Sequence, residues 1–209
     1  MCGIVGFIKL DVEKPNLTYD KVCAAFEETS SRGMQATGFY SPSTGTIKTD
    51  QSADKFVATH KKEIEKSIKS GLMIGHCRVA TGGFDNHPSP PSKIENNHPH
   101  EGKRYVMVHN GHFSHLPKVL DYKYKGNCDS ELALSYIETF GVKQALSLFS
   151  KQDGYSLVIY DKQEEITYFY RESNPMVYSL DMATGTFIFG STLDIICEFC
   201  EPIEQFGLS

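Results

Sequence analysis

The chain has 209 residues, of which 40% are hydrophobic and 22% charged, and its formal net charge is -5. This length and composition predict a globular protein that forms one domain over residues 1–209. The acidic balance disfavours sequence-independent binding to nucleic acid, which needs clustered Lys and Arg. The sequence has no apolar run near the roughly 18 residues that cross a membrane, and no signal peptide, so we expect a cytoplasmic protein with no nucleic-acid or membrane partner.

Hydrophobic periodicity and capping residues predict the first elements in chain order. CGIVGFIKL is a strand, a helix then runs from the N-cap Thr18 to near Gly33, and a second helix runs from Ser52 to Gly71. The strand LMIGHCRVAT, a loop over 82–102 rich in Pro, Asn and His, and the strand RYVMVHNG follow.

The second half of the chain begins with helices and continues with strands. CDSELALSYIETF and VKQALSLFS predict helices, and YSLVIYD, ITYFYRE, MVYSLD and TFIFGS predict strands. LDIICEFC predicts a short amphipathic helix. Because the β segments have hairpin spacing and the helices are grouped between them, the pattern favours an α+β fold with antiparallel sheets over a doubly wound parallel sheet.

The six cysteines are too sparse for a disulfide scaffold, and we expect them to be reduced. Cys197 and Cys200 form a single CxxC, which could be half of a zinc site or a redox pair. Without a second pair, we interpret them as thiols that pack along one short helix.

Polar residues follow two predicted strands and begin one helix. Arg78 and Thr81 lie at the end of the apolar strand in GHCRVATGG, Asn110 and Gly111 end VHNG, and Asp129 begins a helix. Each has a structural alternative when taken alone: a surface ion pair for Arg78, a type I′ turn for Asn110-Gly111, and an N-cap for Asp129.

In this order the motifs CGIVGF, SRGMQATGF, GHCRVATGG, NNHPH, VHNG and CDSE resemble the class II glutamine amidotransferase domain of the N-terminal nucleophile hydrolases. The similarity continues through DGYSLVIYD and FIFGSTLD, so it covers almost the whole chain. It is strongest with the glutaminase domain of glucosamine-6-phosphate synthase. The resemblance implies a four-layer αββα sandwich of two antiparallel sheets, L-glutamine as the substrate, and no cofactor.

The resemblance makes Cys2 the nucleophile after removal of Met1; the structural alternative is that Cys2 packs as a small hydrophobe at a sheet edge. A mature chain that begins at Cys2 carries both a thiol and a free α-amino group. A free thiol has a pKa of about 8.5 and an α-amino group one of about 7.7 to 8.0, so the amine is suited to accept the thiol proton. The thiolate then attacks the amide carbonyl and forms a thioester, which water opens.

The same resemblance assigns the remaining roles. The Asn110 side-chain amide and the Gly111 N–H form an oxyanion hole. Arg78 pairs with the α-carboxylate of glutamine, because a planar guanidinium can donate two hydrogen bonds to a carboxylate. Asp129 pairs with the α-ammonium. Thr81 is a further substrate-binding residue, and the supporting residues are Arg32, Gly33 and His98.

The sequence departs from the synthase pattern at Gln35, Val79 and Gly82, where that branch has Asp, an aromatic residue and His. The amidophosphoribosyltransferase branch also lacks the His. Because of these departures, the resemblance carries no expectation for the affinity for glutamine or for the closure of the loop that contains Gln35.

Seven of the eight histidines lie between His76 and His115, and HPH and HNGHFSH have spacings typical of metal ligands. His98 and His109 belong to motifs of a family that uses no metal. We therefore expect no metal site.

Three functions remain after this reading. The leading one is an active glutaminase that passes ammonia to a separately encoded synthase, since the chain ends at Ser209 with no length for an acceptor domain. A noncatalytic binding or regulatory module with the same fold is the second, and an N-terminal nucleophile amidohydrolase for another amide is the third. The presence of all five proposed site residues disfavours the second, and the Arg78 and Asp129 pair disfavours the third.

Overall fold

The computed structural model describes residues 2–80, 82–84, 87–114, 116–149 and 153–200. Within these ranges two antiparallel sheets stack face to face, and helices cover the outer face of each sheet. The predicted α+β class and four-layer αββα sandwich are confirmed. Among the described residues, no helix combines the length and the apolar character needed to span a bilayer.

The strands are β1 (Gly3–Lys9), β2 (Ala36–Ser41), β3 (Gly45–Thr49), β4 (Leu72–Arg78), β5 (His100–Glu101), β6 (Tyr105–Gly111), β7 (Tyr155–Asp161), β8 (Ile166–Arg171), β9 (Val177–Asp181) and β10 (Thr186–Gly190). The helices are α1 (Tyr19–Ser30), α2 (Ala53–Thr59), α3 (Lys61–Ser70), α4 (Asp129–Phe140), α5 (Val142–Leu148) and α6 (Leu193–Phe199). The six-stranded sheet has the order β3-β2-β4-β1-β10-β9, and the four-stranded sheet has the order β5-β6-β7-β8.

The central strands are apolar on both faces because each sheet is covered on both sides. In β1, Val5 and Phe7 pack among the helices α1, α2, α3 and α6, whereas Ile4 packs between the two sheets. In β7, Leu157 faces α4 and α5, and Val158 packs between the sheets. This arrangement fixes β1 in the middle of the six-stranded sheet, and with it the position of Cys2.

The first helix begins and packs as its sequence predicts. The Thr18 Oγ1 accepts a hydrogen bond from the Lys21 N–H at 3.3 Å, which satisfies one of the free donors of the first turn. Val22, Phe26 and Thr29 lie on its buried face at a spacing of three or four residues.

The structure differs from the sequence prediction between Ser52 and Gly71, where one helix was expected. Two helices are present, because the backbone of His60 leaves the helical region at φ -108° and ψ 31°. The His60 ring packs on Phe56 with centroids 4.7 Å apart. Gly71 closes the second helix in the left-handed conformation, as predicted.

The structure excludes two of the structural alternatives considered for the site residues. Asn110 and Gly111 are not the centre of a turn: they lie inside β6 and pair with Ser156 and Tyr155 of β7. The N-cap of α4 is Cys128 rather than Asp129, which is the first helical residue. The hairpin of β2 and β3 was not predicted from the sequence at all.

Candidate active site

A cavity of about 420 Å³ opens at the N-terminal end of β1 and is lined from both sheets. Its described lining residues are Cys2, Arg32, Val79, Asn110, Gly111, His112, Gly154 and Asn174. The volume is in the range of small-molecule sites. The structure thus brings together the three residues predicted to be catalytic, although Cys2 is more than 100 residues from Asn110 and Gly111 in the sequence.

The Cys2 thiol lies against the peptide groups of Val79. Its Sγ is 3.4 Å from both the Val79 nitrogen, which donates to it, and the Val79 carbonyl oxygen. Burial raises the pKa of this thiol, while the Val79 N–H and the positive charge of Arg78 act in the opposite direction. Together these effects leave the pKa of the Cys2 thiol above its usual value.

Two of the predicted supporting residues fix the backbone beside Cys2. The Arg32 Nε donates to the Cys2 carbonyl oxygen at 2.9 Å. A Cβ on Gly33 would lie 2.7 Å from the Cys77 carbonyl oxygen and from the Arg78 carbonyl carbon, so only glycine allows this close approach to β4. Gln35, one of the departures, holds the next segment, since its Oε1 accepts from the Ala80 N–H.

Asn110 is buried, and its side chain is held by a serine from the other sheet. The Asn110 Nδ2 lies 2.7 Å from the Ser191 Oγ, which also accepts from the Ile4 N–H at 2.8 Å. Because a hydroxyl can donate as well as accept, the carboxamide can present either its nitrogen or its oxygen to Ser191. The Asn174 Nδ2 donates to the Asn110 carbonyl oxygen at 3.0 Å and fixes the main chain.

Gly111 has a φ of 130°, a conformation that favours glycine. A Cβ at this position would also collide with the Gly154 carbonyl oxygen. The backbone of β6 can therefore reach the cavity at Gly111 only without a side chain.

Asp129 lies at the first turn of α4 with only 2% of its side chain exposed, and it contacts a residue of the cavity wall. The His112 Nδ1 is 3.1 Å from the Asp129 Oδ2. Burial opposes ionisation of Asp129, but the hydrogen bonds from His112 and the Phe113 N–H outweigh it and hold the pKa of the carboxyl below its usual value. The hydrogen bond to Asp129 raises the pKa of His112.

Arg78 is not among the described residues that line the cavity. Its guanidinium points into the protein, where it donates to the Asn97 Oδ1 at 3.1 Å and to the Ser89 carbonyl oxygen and Oγ at 2.9 and 2.8 Å. Only 2% of the residue is exposed. Thr81, the other predicted substrate-binding residue from this segment, lies outside the described residues.

His98 lies behind the cavity, in a cluster of buried imidazoles between the sheets. Its ring stacks on His76 with centroids 4.0 Å apart, and the Ser130 Oγ contacts the His98 Nε2 at 3.1 Å and the His109 Nδ1 at 2.9 Å. The His76 Nε2 contacts the His109 carbonyl oxygen at 3.0 Å, which links β4 of one sheet to β6 of the other. His98 therefore supports the sheets rather than the cavity wall.

We expected no metal site, but among the described residues one group of side chains has the spacing of metal ligands. His98, His100 and Cys128 are buried, and their ligand atoms lie within 4.8 Å of one another. Burial raises the pKa of the Cys128 thiol to about 12, whereas a cysteine ligand must be a thiolate.

All six cysteines are free thiols in the structure. Cys197, in α6, is exposed, whereas Cys200, which follows the helix as its C-cap, is partly buried against the core beneath the helices.

The sequence reasoning missed three residues of the site. Ser191 and Asn174 hold Asn110, and His112 contacts Asp129 from the cavity. Ser191 stands inside the motif FIFGSTLD, which could have singled it out. His112 was noticed only as one histidine among many, and Asn174 carries no signal in its local sequence.

Cys2 thus lies at the start of a central strand, beside a cavity lined from two stacked antiparallel sheets. Two solved structures share this fold. One is the glutamine phosphoribosylpyrophosphate amidotransferase from B. subtilis, with a TM-score of 0.57 and 17% identity over 91% of this chain and 42% of that one. The other, the allosteric regulatory enzyme of purine biosynthesis, has a TM-score of 0.61 and 18% identity over 95% of this chain and 43% of that one.

The sequence is similar to curated glutamine–fructose-6-phosphate aminotransferases. The protein from Shouchella clausii is 28% identical over 190 residues, covering 81% of this chain and 28% of the relative. The protein from Streptococcus pneumoniae is 28% identical over 201 residues, covering 86% of this chain and 30% of the relative.

No protein-family model matches the chain. The predicted resemblance to class II glutamine amidotransferases is thus confirmed. The chain spans less than a third of the curated relatives it matches.

Proposed function

We propose that this chain hydrolyses the side-chain amide of free L-glutamine to glutamate and ammonia through a thioester on Cys2. The observation that carries the proposal is the shared cavity of Cys2, Asn110 and Gly111, which places a thiol opposite a carboxamide and a side-chain-free strand end. The similarity in sequence to aminotransferases that use glutamine supports the choice of substrate.

The base in this mechanism is the α-amino group of Cys2 after removal of Met1. Burial raises the pKa of the thiol, so a proton acceptor close to Sγ is required. An α-amino group titrates near neutrality, at about 7.7 to 8.0, and accepts the thiol proton directly or through a water molecule. Sγ then bonds to the amide carbon, and the C–N bond breaks as ammonia takes the proton. Water opens the thioester and restores the thiol.

The oxyanion of the tetrahedral intermediate is stabilised by the Asn110 amide and the Gly111 N–H. Charge develops on the former carbonyl oxygen as Sγ attacks, and donors held in place beforehand stabilise it without reorganisation. Ser191 supports this role because its Oγ, 2.7 Å from the Asn110 Nδ2, fixes the carboxamide in the cavity that Cys2 and Gly111 also line.

The two charged groups of the substrate are bound by Arg78 and Asp129 in this proposal, and Thr81 is a further substrate-binding residue. Since the Arg78 guanidinium already bonds to Ser89, the α-carboxylate has to replace the Ser89 acceptors or bind at the edge of that group. Arg32 lines the cavity and adds a second positive charge near Cys2.

We further propose that the ammonia is used by a synthase activity that lies outside these 209 residues. The described residues build one pair of sheets with one candidate site for glutamine, and they align with less than a third of each aminotransferase. Free ammonia is protonated and lost in water, so the reaction is useful to a cell when a synthase activity receives the ammonia. We place this activity in the cytoplasm.

The test is a glutaminase assay on the mature chain, with the N-terminal residue established by intact mass. The wild type should release glutamate and ammonia, Cys2→Ala should have no activity above background, and Cys197→Ala, which removes an exposed thiol of α6, should match the wild type. Inactivity of the wild type toward glutamine, with or without an ammonia acceptor, would point to the noncatalytic module. Hydrolysis of a different amide instead would indicate another amidohydrolase.

A further inference from the structure

The carboxylate of Asp129 already has a protein donor at each of its acceptor positions. Its Oδ2 accepts from the Phe113 N–H at 2.8 Å and lies 3.1 Å from the His112 Nδ1. Its Oδ1 accepts from the Ser130 N–H at 3.0 Å and from the Cys128 thiol at 3.4 Å. A carboxylate offers about four acceptor positions. A substrate ammonium can therefore bind Asp129 only by displacing one of these donors.

Of the four groups that donate to Asp129, only the His112 side chain can move away at a small cost in free energy. Two are main-chain N–H groups at the end of β6 and the start of α4, and Cys128 is 2% exposed. The His112 side chain is 51% exposed and lines the same cavity as Cys2. Rotation of His112 would open Asp129 to the cavity and leave the other three bonds intact.

We propose that His112 occupies the ammonium position at Asp129 in the unliganded protein, and that an amino-acid amide must displace it to bind. This inference rests on the proposed function, in which Asp129 takes the α-ammonium of glutamine. His112 is then a specificity-determining residue: it sets the affinity for ligands that carry an α-ammonium and has no effect on ligands without one.

The charges around His112 predict how this competition depends on pH. The hydrogen bond to Asp129 raises the pKa of His112, Asp153 acts in the same direction, and burial acts against it. The neighbouring His109 is itself kept neutral by burial, with its pKa lowered to about 4. Below its pKa, His112 is a cation and competes strongly with the substrate ammonium; above it, the neutral ring competes weakly. The KM for glutamine should therefore fall as pH rises through the pKa of His112.

The experiment compares two variants of opposite effect in the full chain. His112→Ala removes the competitor and should lower the glutamine KM by roughly two- to tenfold near pH 6.5, with kcat changed less. His112→Lys keeps a cation beside Asp129 at every pH and should raise KM and remove its fall with rising pH. His60→Ala, which alters a histidine on the outer helices, should leave KM unchanged.

A ligand control separates this role from a structural one. The inhibition constant of the glutamine analogue that lacks the α-amino group should be the same in wild type, His112→Ala and His112→Lys. Active wild type with an unchanged KM in His112→Ala, or an equal change for both ligands, would overturn the inference and leave the proposed function intact. Failure of every form to hydrolyse glutamine or to bind glutamate would overturn the proposed function, and this inference with it.

Discussion

At the scale of single residues, the candidate site depends on how its side chains are held. Asn110 contacts Ser191 with its side chain and Asn174 with its main chain, and Arg32 holds the carbonyl oxygen of Cys2. Because Ser191 follows β10 while Asn110 ends β6, their hydrogen bond joins the two sheets at the cavity. The proposed oxyanion donor is therefore positioned by the sandwich as a whole.

We predict that Asn110→Ala lowers kcat for glutamine about a hundredfold to a thousandfold with little change in KM, because the amide acts on charge that develops only during attack. Ser191→Ala should lower kcat less, since it removes the group that orients Asn110 and not the donor itself. Ser179→Ala on β9 serves as the control. A rise in KM with an unchanged kcat for Asn110→Ala, measured by steady-state kinetics, would contradict the assignment of Asn110 as an oxyanion donor.

Much of the site could be predicted from the sequence, and the reason lies in the motifs. Cys2, Asn110 and Gly111 stand in short segments whose resemblance to a known family carries their roles. The direction of the Arg78 side chain could not be predicted, because it depends on Ser89 and Asn97 in an irregular loop. The contact of His112 with Asp129 likewise exists only once β6 and α4 meet in space.

At the scale of elements, the sequence predicted the strands and helices with strong hydrophobic periodicity. It did not predict the β2–β3 hairpin at one edge of the six-stranded sheet. β1, β4, β6 and α4 agree with the sequence reading because long apolar runs and caps specify them. The β2–β3 hairpin was missed: β2 contains Gly38 and small polar residues, and β3 is only partly buried. Its place in the sheet comes from pairing with β4 rather than from its own pattern.

The segment between α1 and β2 should not tolerate a side chain at Gly33. A Cβ there would lie 2.7 Å from backbone atoms of β4, which cannot yield as a flexible side chain can. We expect Gly33→Ala to lower the free energy of unfolding by about 2 kcal/mol. Gly82→Ala is the matched control, because open space surrounds its Cβ position. Equal thermal midpoints for the two variants would show that the approach to β4 is not tight.

At the scale of the whole molecule, the two sheets are joined by neutral histidines. Burial lowers the pKa of His76 to about 3 and that of His109 to about 4, and it holds the pKa values of His98 and His100 well below the usual range. In the unfolded chain each would titrate at about 6.5. Below that pH the unfolded state binds protons that the folded state does not, so stability is lost as pH falls.

We predict a steep loss of stability between pH 7 and pH 5.5, a range above the titration of most carboxylates. Each of the four histidines should contribute up to about 1.4 kcal/mol per pH unit below 6.5. Urea unfolding at several pH values measures the slope, and His100→Gln should reduce the linked proton uptake by about one. A flat profile across this range would mean that the imidazoles are charged in the folded protein.

The central claim is that Cys2, at the head of the mature chain, forms a thioester with the γ-acyl group of glutamine. The most direct measurement is acid quenching of the protein during glutamine turnover, followed by mass spectrometry of the N-terminal peptide. The account predicts a peptide that begins at Cys2 and carries one γ-glutamyl group, which disappears when the glutamine is exhausted. Full turnover by chains that retain Met1, or a γ-glutamyl group on another residue, would contradict it.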